Sequence, residues 1–376
     1  MAGIYIHIPF CKTRCIYCDF FTQTDASLKR GVVDALCKEL SLQKELLDNE
    51  KINTVYFGGG TPSLLSESDF KQLFETIEKN YEILPDAEIT IEANPDDLSN
   101  HYIGMLRALP FNRISIGIQS LNNSDLKRLC RRHSAQQAIN VVVNCQKAGF
   151  INISVDLMYG LPNQTLKSWS STLDKAISLN VQHISAYHLI YEDGTELHQL
   201  LQKKLIEQAN ENISSEMFSV LKEKLAQAGF IHYEISNFGK NEYFSRHNSS
   251  YWFGEKYLGI GPSAHSYNGI SRTWNIASIE EYIESINAGE IPAEKEILDE
   301  SMQYNDFVLT GMRTMWGINL EKLESLFGTK MLDYCLQNAL KHLEKGYIIR
   351  RNNYLTISDK GLLISDGIMS DLMYIK

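Results

Sequence analysis

The chain has 376 residues, 44% of them hydrophobic, and a formal net charge of −10, so it can bury a large core and we predict one large domain with a smaller one. The acidic balance argues against a broad nucleic-acid-binding surface. The N-terminus lacks the pattern of a signal peptide, and no apolar run reaches the ~18 residues typical of a membrane span.

The first part of the chain alternates between short apolar runs and longer amphipathic stretches. Six runs rich in Ile, Val and Tyr predict strands at Gly3–Pro9, Thr54–Gly58, Glu88–Glu92, Arg113–Ile118, Asn152–Met158 and His183–Ile190. Apolar residues at three- and four-residue steps predict helices at Val33–Leu47, Asp69–Tyr81, Ala135–Ala148 and Trp169–Leu179. This alternation indicates parallel strands with right-handed crossovers, in an open sheet or in a partial (β/α)6 barrel.

Polar or glycine-rich residues follow each predicted strand, which favours the barrel because its strand ends converge on one mouth. We assign residues 1–205 to this barrel. Residues 206–297 form an extension that begins with a helix over Asn210–Gly229. Residues 298–376 read as a mainly helical, winged-helix-like module that ends in a hairpin turning at Asn352-Asn353. Its near-neutral charge argues against DNA binding.

Three cysteines, Cys11, Cys15 and Cys18, lie in a C-x3-C-x2-C pattern directly after the first strand. Soft thiolates select zinc, copper(I) or iron–sulfur clusters. Three ligands would leave one iron of a [4Fe-4S] cluster open, whereas a structural zinc would need a fourth ligand such as His7 or Asp19. Three unligated thiols are the remaining alternative. The four other cysteines are scattered singly, as in a reduced, cytosolic protein.

The stretch "YIHIPFCKTRCIYCDF" resembles the entry motif of the radical S-adenosylmethionine (SAM) superfamily. Further motifs, "GGGTPS", "EANPDD", "SIGIQS" and "DLMYGLPNQT", are similar to the branch that includes oxygen-independent coproporphyrinogen dehydrogenase and the HemW-type haem chaperones. The resemblance covers nearly the whole chain. It implies a [4Fe-4S] cluster on Cys11, Cys15 and Cys18, with SAM on the open iron.

The resemblance also implies which residues contact SAM. These follow the barrel strands or line the cofactor: Tyr5, Tyr17, Gly59, Gly60, Thr61, Glu92, Gln119, Arg131 and Asp156. From the residues alone, the glycines could equally form a plain turn. Carboxylates at the ends of apolar strands could cap a helix or form an ion pair, since they are rarely buried unpaired. Arg132 adjoins the expected SAM-binding arginine.

Two departures separate the functions found in this branch. The dehydrogenase motif carries one more cysteine where this chain has Phe20, which can neither ligate iron nor relay a proton. It also carries a long N-terminal extension, whereas ten residues precede Cys11 here. Both differences weigh against dehydrogenation of coproporphyrinogen III.

A second motif, "HNSSYW", matches the HNxxYW signature of HemW-type proteins. It comprises His247, Asn248, Tyr251 and Trp252. Imidazole can ligate haem iron, and the two aromatic rings can hold a porphyrin edge. The alternative is a purely structural role, with the histidine and the two aromatic residues packed at the barrel rim. His133, His188 and His265 are further candidates for the iron ligand.

Together these features predict a cytosolic haem chaperone that binds haem, a [4Fe-4S] cluster and SAM. The resemblance implies transfer of haem to apoproteins, with respiratory haem enzymes as acceptors and contact with the membrane surface without insertion. A homodimer is among the states that the sequence allows. The alternative is a radical SAM enzyme of porphyrin biosynthesis, and a SAM-binding regulatory protein is a third class.

Overall fold

The structure is a computed structural model and describes residues 1–375. A twelve-stranded sheet forms its centre and a three-stranded sheet lies near the C-terminus. The strands are β1 Ala2–Ile8, β2 Ile52–Gly59, β3 Ile83–Ala93, β4 Arg113–Gln119, β5 Asn152–Tyr159, β6 His183–His188, β7 Ile231–Glu234, β8 Asn237–Gly239, β9 Lys256–Ile260, β10 His265–Tyr267, β11 Ser271–Asn275, β12 Ala293–Ile297, β13 Ile318–Asn319, β14 Ile348–Arg351 and β15 Tyr354–Ile357.

The helices mostly connect or cover these strands. They are α1 Lys29–Leu42, α2 Glu67–Asn80, α3 Asn100–Ala108, α4 Asn123–Arg128, α5 Ala135–Lys147, α6 Leu166–Ser178, α7 Glu196–Gln202, α8 Glu211–Gln227, α9 Arg246–Trp252, α10 Ile279–Ala288, α11 Glu300–Met312, α12 Leu320–Glu344 and α13 Ser365–Leu372. Capping boxes begin α2, α5 and α6, which fixes where each helix starts. The predicted helices that cover the sheet are present.

The six predicted strands form the parallel half of the large sheet. Neighbours β1 to β6 pair in chain order, all parallel, and the sheet does not close on itself. Alternate residues of these strands face the covering helices and are fully buried, such as Ile4, Phe57 and Ile116. Strand–helix alternation therefore produces the predicted α/β fold, with an open, partial barrel.

Both edges of this parallel unit carry strands that the sequence reading did not predict. The β9 strand pairs in parallel with β1 and leads into the antiparallel strands β10, β11 and β12. At the opposite edge, β8 and β7 pair antiparallel with β6 and with each other. Most of these short strands contain Gly, Asn or aromatic residues and β12 is charged, so they lack the plain apolar pattern of the barrel strands.

A buried carboxylate fixes the turn between β9 and β10. Glu39 of α1 accepts hydrogen bonds from the Gly261 N–H at 2.8 Å, from Asn275 Nδ2 at 2.7 Å and from the Tyr282 hydroxyl at 2.5 Å. Burial raises the pKa of Glu39, and these donors lower it again. Removing a donor from such a network leaves a buried group unsatisfied, so the segment that carries His265 is firmly held.

The C-terminal part has a hydrophobic core of its own, built from α11, α12, α13 and the small sheet, with Tyr304, Leu323 and Leu355 among its buried residues. The predicted hairpin is present as β14 and β15, with Asn352 in the left-handed conformation at its turn (φ 52°). Gly328 interrupts α12 with non-helical angles. The boundaries at residues 205 and 297 stay a prediction.

Candidate functional site

The cysteine loop leaves β1 and returns to it. The Cys11 N–H donates to the Gln23 carbonyl at 2.9 Å, and the Gln23 N–H donates to the Pro9 carbonyl at 2.8 Å. These bonds pin both ends of the loop, so the thiols between them are presented from a fixed base. All three motif cysteines are half-buried.

A cavity of about 390 Å³ opens above the strand ends, and the residues after β1 to β6 line it together. It contains the three motif cysteines and most of the predicted SAM-binding residues: Tyr17, Gly59, Gly60, Thr61, Glu92, Gln119, Arg131 and Asp156. The convergence of all six strand ends on one cavity is the arrangement expected of a barrel mouth.

Hydrogen bonds link two of the thiols to the strand ends. The Thr61 hydroxyl donates to Cys11 Sγ at 3.2 Å, and Arg131 Nη1 donates to Cys15 Sγ at 3.4 Å. Asn94 joins these two side chains, donating to Thr61 Oγ1 at 3.1 Å and accepting from Arg131 Nη2 at 2.5 Å. Donors aimed at sulfur stabilise thiolates and tune a bound cluster.

Burial makes two of the three motif thiols, Cys11 and Cys18, harder to ionise. Burial raises the pKa of Cys11, and it raises the pKa of Cys18 to about 11, with repulsion from the other two cysteines adding to the effect at Cys18. A metal must therefore displace protons when it binds. Within residues 1–375, no three His, Cys, Asp or Glu side chains converge on a single-ion site. Each iron of a cluster takes its own cysteine, so three cysteines would leave one iron of a [4Fe-4S] cluster open.

Two carboxyl groups face the same cavity from β3 and β5, the strands on either side of β4. Glu92 accepts from the Tyr56 hydroxyl at 2.6 Å, and Asp156 accepts from Ser115 Oγ at 3.1 Å. Burial raises the pKa of Glu92 to about 7, with Asp156 adding to the rise. Burial also raises the pKa of Asp156. Such acceptors suit the hydroxyl and amino groups of a nucleoside and an amino acid.

Backbone geometry explains two residues of the glycine run. Gly59 has φ +102°, and a Cβ there would lie 2.6 Å from the His7 ring. A Cβ on Gly60 would lie 2.8 Å from the Phe10 carbonyl oxygen, inside the base of the cysteine loop. Both glycines are therefore required by packing. A role in cofactor contact comes in addition to that requirement.

The sequence analysis did not predict several residues of this pocket as site residues. Asn94 bridges Thr61 and Arg131, and Ser115 and Tyr187 also line the pocket. Their signal was the same as for the predicted residues, namely a polar side chain near the end of an apolar strand. Arg132, the neighbour of Arg131, also reaches the pocket wall but pairs with Asp96 and Asp97.

A second, larger cavity of about 1330 Å³ lies beside the first, between the barrel and the C-terminal helices. This exceeds the roughly 300–1,000 Å³ of common small-molecule pockets. Aromatic side chains dominate its wall, among them Tyr5, Tyr251, Trp252, Tyr257, Tyr267 and Trp316. The structure thus places Tyr5 here and not in the pocket with the cysteines. Phe20, 61% exposed, lines both cavities.

The four residues of the HNxxYW motif occupy different environments. Tyr251 and Trp252 line the large cavity, whereas Asn248 is half-buried and lines neither cavity. His247 is 1% exposed and is also absent from both walls. Its Nδ1 is 2.8 Å from Thr54 Oγ1 and its Nε2 is 2.8 Å from the Tyr251 hydroxyl.

Burial, assisted by the charge of Arg113, lowers the pKa of His247 to about 3. The ring is therefore neutral at physiological pH, and it stacks on Tyr56 at 4.9 Å between centroids. The Glu88 carboxylate accepts from the His247 N–H at 3.0 Å, which holds the start of α9 against the barrel. In this arrangement His247 packs α9 onto β2, and the two aromatic residues of the motif face the cavity.

No helix within residues 1–375 is both long enough and apolar enough to cross a membrane.

Comparison with known proteins agrees with this geometry. The radical SAM superfamily model matches residues 5–176, and the HemN C-terminal domain model matches residues 298–364. A radical SAM domain implies a [4Fe-4S] cluster and SAM, and the donors around the cysteine pocket fit both groups. In structure, the chain resembles the radical SAM enzyme coproporphyrinogen III oxidase (HemN) of Escherichia coli, with a TM-score of 0.86, 20% identity and coverage of 99% of this chain and 90% of that one.

Curated relatives match over almost the whole chain. Proteins named "heme chaperone HemW" are 32% identical in Lactococcus lactis, covering 98% of this chain and 96% of the relative, and 34% identical in Bacillus subtilis, covering 98% of both. A mitochondrial radical SAM domain-containing protein 1 of Danio rerio is 30% identical, covering 99% of this chain and 87% of the relative. The chain therefore belongs to the HemW family of radical SAM proteins.

Proposed function

We propose that this protein is a haem chaperone that holds haem in the large cavity and transfers it to acceptor apoproteins. The observation that carries the proposal is the position of that cavity. It is large, aromatic and adjacent to the cysteine pocket, and residues 19–21 of the cysteine loop form part of its wall. A flat apolar macrocycle is best held between aromatic faces.

The donor set of this cavity also fits haem. His265 provides an imidazole at the wall, and Lys322 provides a cation that forms no ion pair with any residue in 1–375. An imidazole can ligate the iron, and an ammonium group can pair with a propionate. The indole N–H of Trp252 is buried and has no hydrogen-bond partner among the described side chains and backbone.

The cysteine pocket would hold the [4Fe-4S] cluster on Cys11, Cys15 and Cys18. SAM would lie against Arg131, Glu92 and Asp156. When reduced, the cluster supplies an electron for radical chemistry. Phe20 stands between the two cavities, where the dehydrogenase motif has a further cysteine, so it offers no thiol toward the large cavity.

The proposed acceptors are haem enzymes of the respiratory chain, reached from the cytosol by contact with the membrane surface. Support for the compartment is indirect: all seven cysteines are free thiols, as expected in a reducing environment. The proposal also includes a homodimer as the assembly of this protein.

Haemin titration tests the binding step. We expect one haem per chain with a shifted Soret band, because Tyr251 and Trp252 of the motif both line the same large cavity. Replacing Thr310 on the cavity wall with tryptophan should weaken haem binding at least about tenfold. The larger side chain would take up space in the cavity and prevent close packing of the haem against its wall. SAM binding should be unchanged, since Thr310 is absent from the cysteine pocket.

Ile213→Trp, at an exposed position on α8, is the matched control for added bulk. Absence of stoichiometric haem binding to the unaltered protein would contradict the proposal. Conversion of coproporphyrinogen III by the reconstituted protein with SAM and a reductant would instead establish the radical-enzyme alternative.

A further inference from the structure

We propose that His265, outside the HNxxYW motif, is the protein ligand of the haem iron. The inference rests on the proposed function and names the residue that would ligate the haem iron. A ligand imidazole must reach the cavity and must have a ring nitrogen available to the metal. Among the histidines near the large cavity, those two requirements select one residue.

His7 and His247 have both ring nitrogens in use. His7 Nδ1 is 3.2 Å from the Tyr5 hydroxyl, and its Nε2 is 3.0 Å from the Phe21 carbonyl. His247 is bonded to Thr54 and Tyr251, as described above, and lies outside the cavity wall. Either ring would have to break a hydrogen bond inside the protein before it could bind iron, which would leave a buried polar group unsatisfied.

His133 and His188 do not reach the cavity. His133 Nε2 bonds to the Ile118 carbonyl at 3.1 Å, and His188 Nε2 bonds to Ser214 Oγ at 3.0 Å. Neither side chain lines the large cavity or the cysteine pocket. These contacts give both residues a structural role within the barrel.

His265 meets both requirements. It begins β10, lines the cavity, is an exposed residue, and neither ring nitrogen makes a hydrogen bond to any residue in 1–375. Its ring stacks on Trp274, with centroids 6.2 Å apart and planes 29° apart. The Asn275 N–H donates to the Ala264 carbonyl at 2.9 Å, and the Glu39 network holds the same turn. A ligand with a fixed backbone and a stacked ring is well positioned for a metal.

The charge state of His265 also suits ligation. Partial burial and the nearby Arg272 lower the pKa of His265, so its ring is neutral at physiological pH. Tyrosines of the cavity are poorer ligands because iron binds the phenolate. Burial raises the pKa of Tyr257 and of Tyr267, and the Tyr267 hydroxyl already donates to the Gly269 carbonyl at 3.0 Å.

The test compares His265→Gly with His247→Phe in the full chain. Ferric haem bound to the unaltered protein should show the Soret band and electron paramagnetic resonance signal of an imidazole-ligated iron. His265→Gly should lose both signatures, with haem affinity lowered about tenfold or less because the aromatic walls remain. Added imidazole should restore the signatures. His247→Phe preserves the stack on Tyr56 and should retain them.

Retention of imidazole ligation in His265→Gly without added imidazole would overturn the inference. Loss of ligation in His247→Phe alone would move the ligand to the motif histidine, leaving the haem chaperone proposal intact. Failure of the unaltered protein to bind haem at all would overturn the proposed function itself. Circular dichroism spectra of both variants check that each is folded.

Discussion

Replacing Cys15 with alanine is expected to abolish the iron–sulfur cluster, the largest effect that a single side chain should have on this protein. The unaltered protein, reconstituted anaerobically, should hold about four irons and four sulfides per chain. With two motif cysteines left, two irons would have no protein ligand, so the content should fall below about one iron per chain. Iron and sulfide analysis, together with the visible absorption of the cluster, measures the cluster content.

Cys130 provides the matched control for this experiment. Its thiol lines the same pocket but lies outside the motif, in an exposed position after α4. Cys130→Ala should therefore keep the full iron and sulfide content. Loss of cluster in Cys130→Ala, or one zinc and no sulfide in the unaltered protein, would contradict a cluster held by three cysteines.

Replacing Arg131 with methionine should weaken SAM binding by roughly 10- to 100-fold. Arg131 donates to Cys15 Sγ, to Asn94 at 2.5 Å and to the Gly117 carbonyl at 2.6 Å, so it organises one wall of the pocket. Hydrogen bonds from a charged group contribute about 1.5–3 kcal/mol each, which corresponds to that range of affinity. Equilibrium binding of SAM to the reconstituted protein measures the change.

Arg132→Met is the control because Arg132 has the same charge and is the next residue in the chain. Arg132 pairs with Asp96 and Asp97 and makes no hydrogen bond to a thiol. It should change SAM affinity by less than about threefold, as expected of a partly exposed ion pair. Equal losses in the two variants would show that net charge, and not the Arg131 contacts, governs binding.

Local patterns were sufficient to predict the barrel and most of its mouth. The parallel strands are largely apolar, and polar residues in the carboxyl-terminal half of several strands, such as Glu92 and Asp156, line the pocket. The cysteine spacing was enough to predict a metal site because the three proposed ligands lie within eight residues of one another. Local residue patterns of this kind can be recognised in a single sequence.

What the sequence could not predict depends on contacts between distant segments. The β9 strand lies beside β1 although more than half of the chain separates them, and no local pattern encodes such pairing. The motif made His247 a candidate iron ligand, with packing at the barrel rim as the alternative. Thr54, on a strand far away in the sequence, occupies one of its nitrogens. Similarly, the large cavity forms where the barrel meets α11 and α12. Its size could therefore not be predicted from the sequence.

Haem transfer tests the central claim most directly. The protein is loaded with one haem, freed of excess, and mixed with an apo form of a respiratory haem enzyme, while the Soret bands of donor and acceptor are followed. A chaperone should lose its band as the acceptor gains its own band and its activity. Thr310→Trp, with its cavity narrowed, should deliver little haem. Haem that stays on the loaded protein, or an acceptor that gains no more than it does from free haemin at the same concentration, would contradict the account.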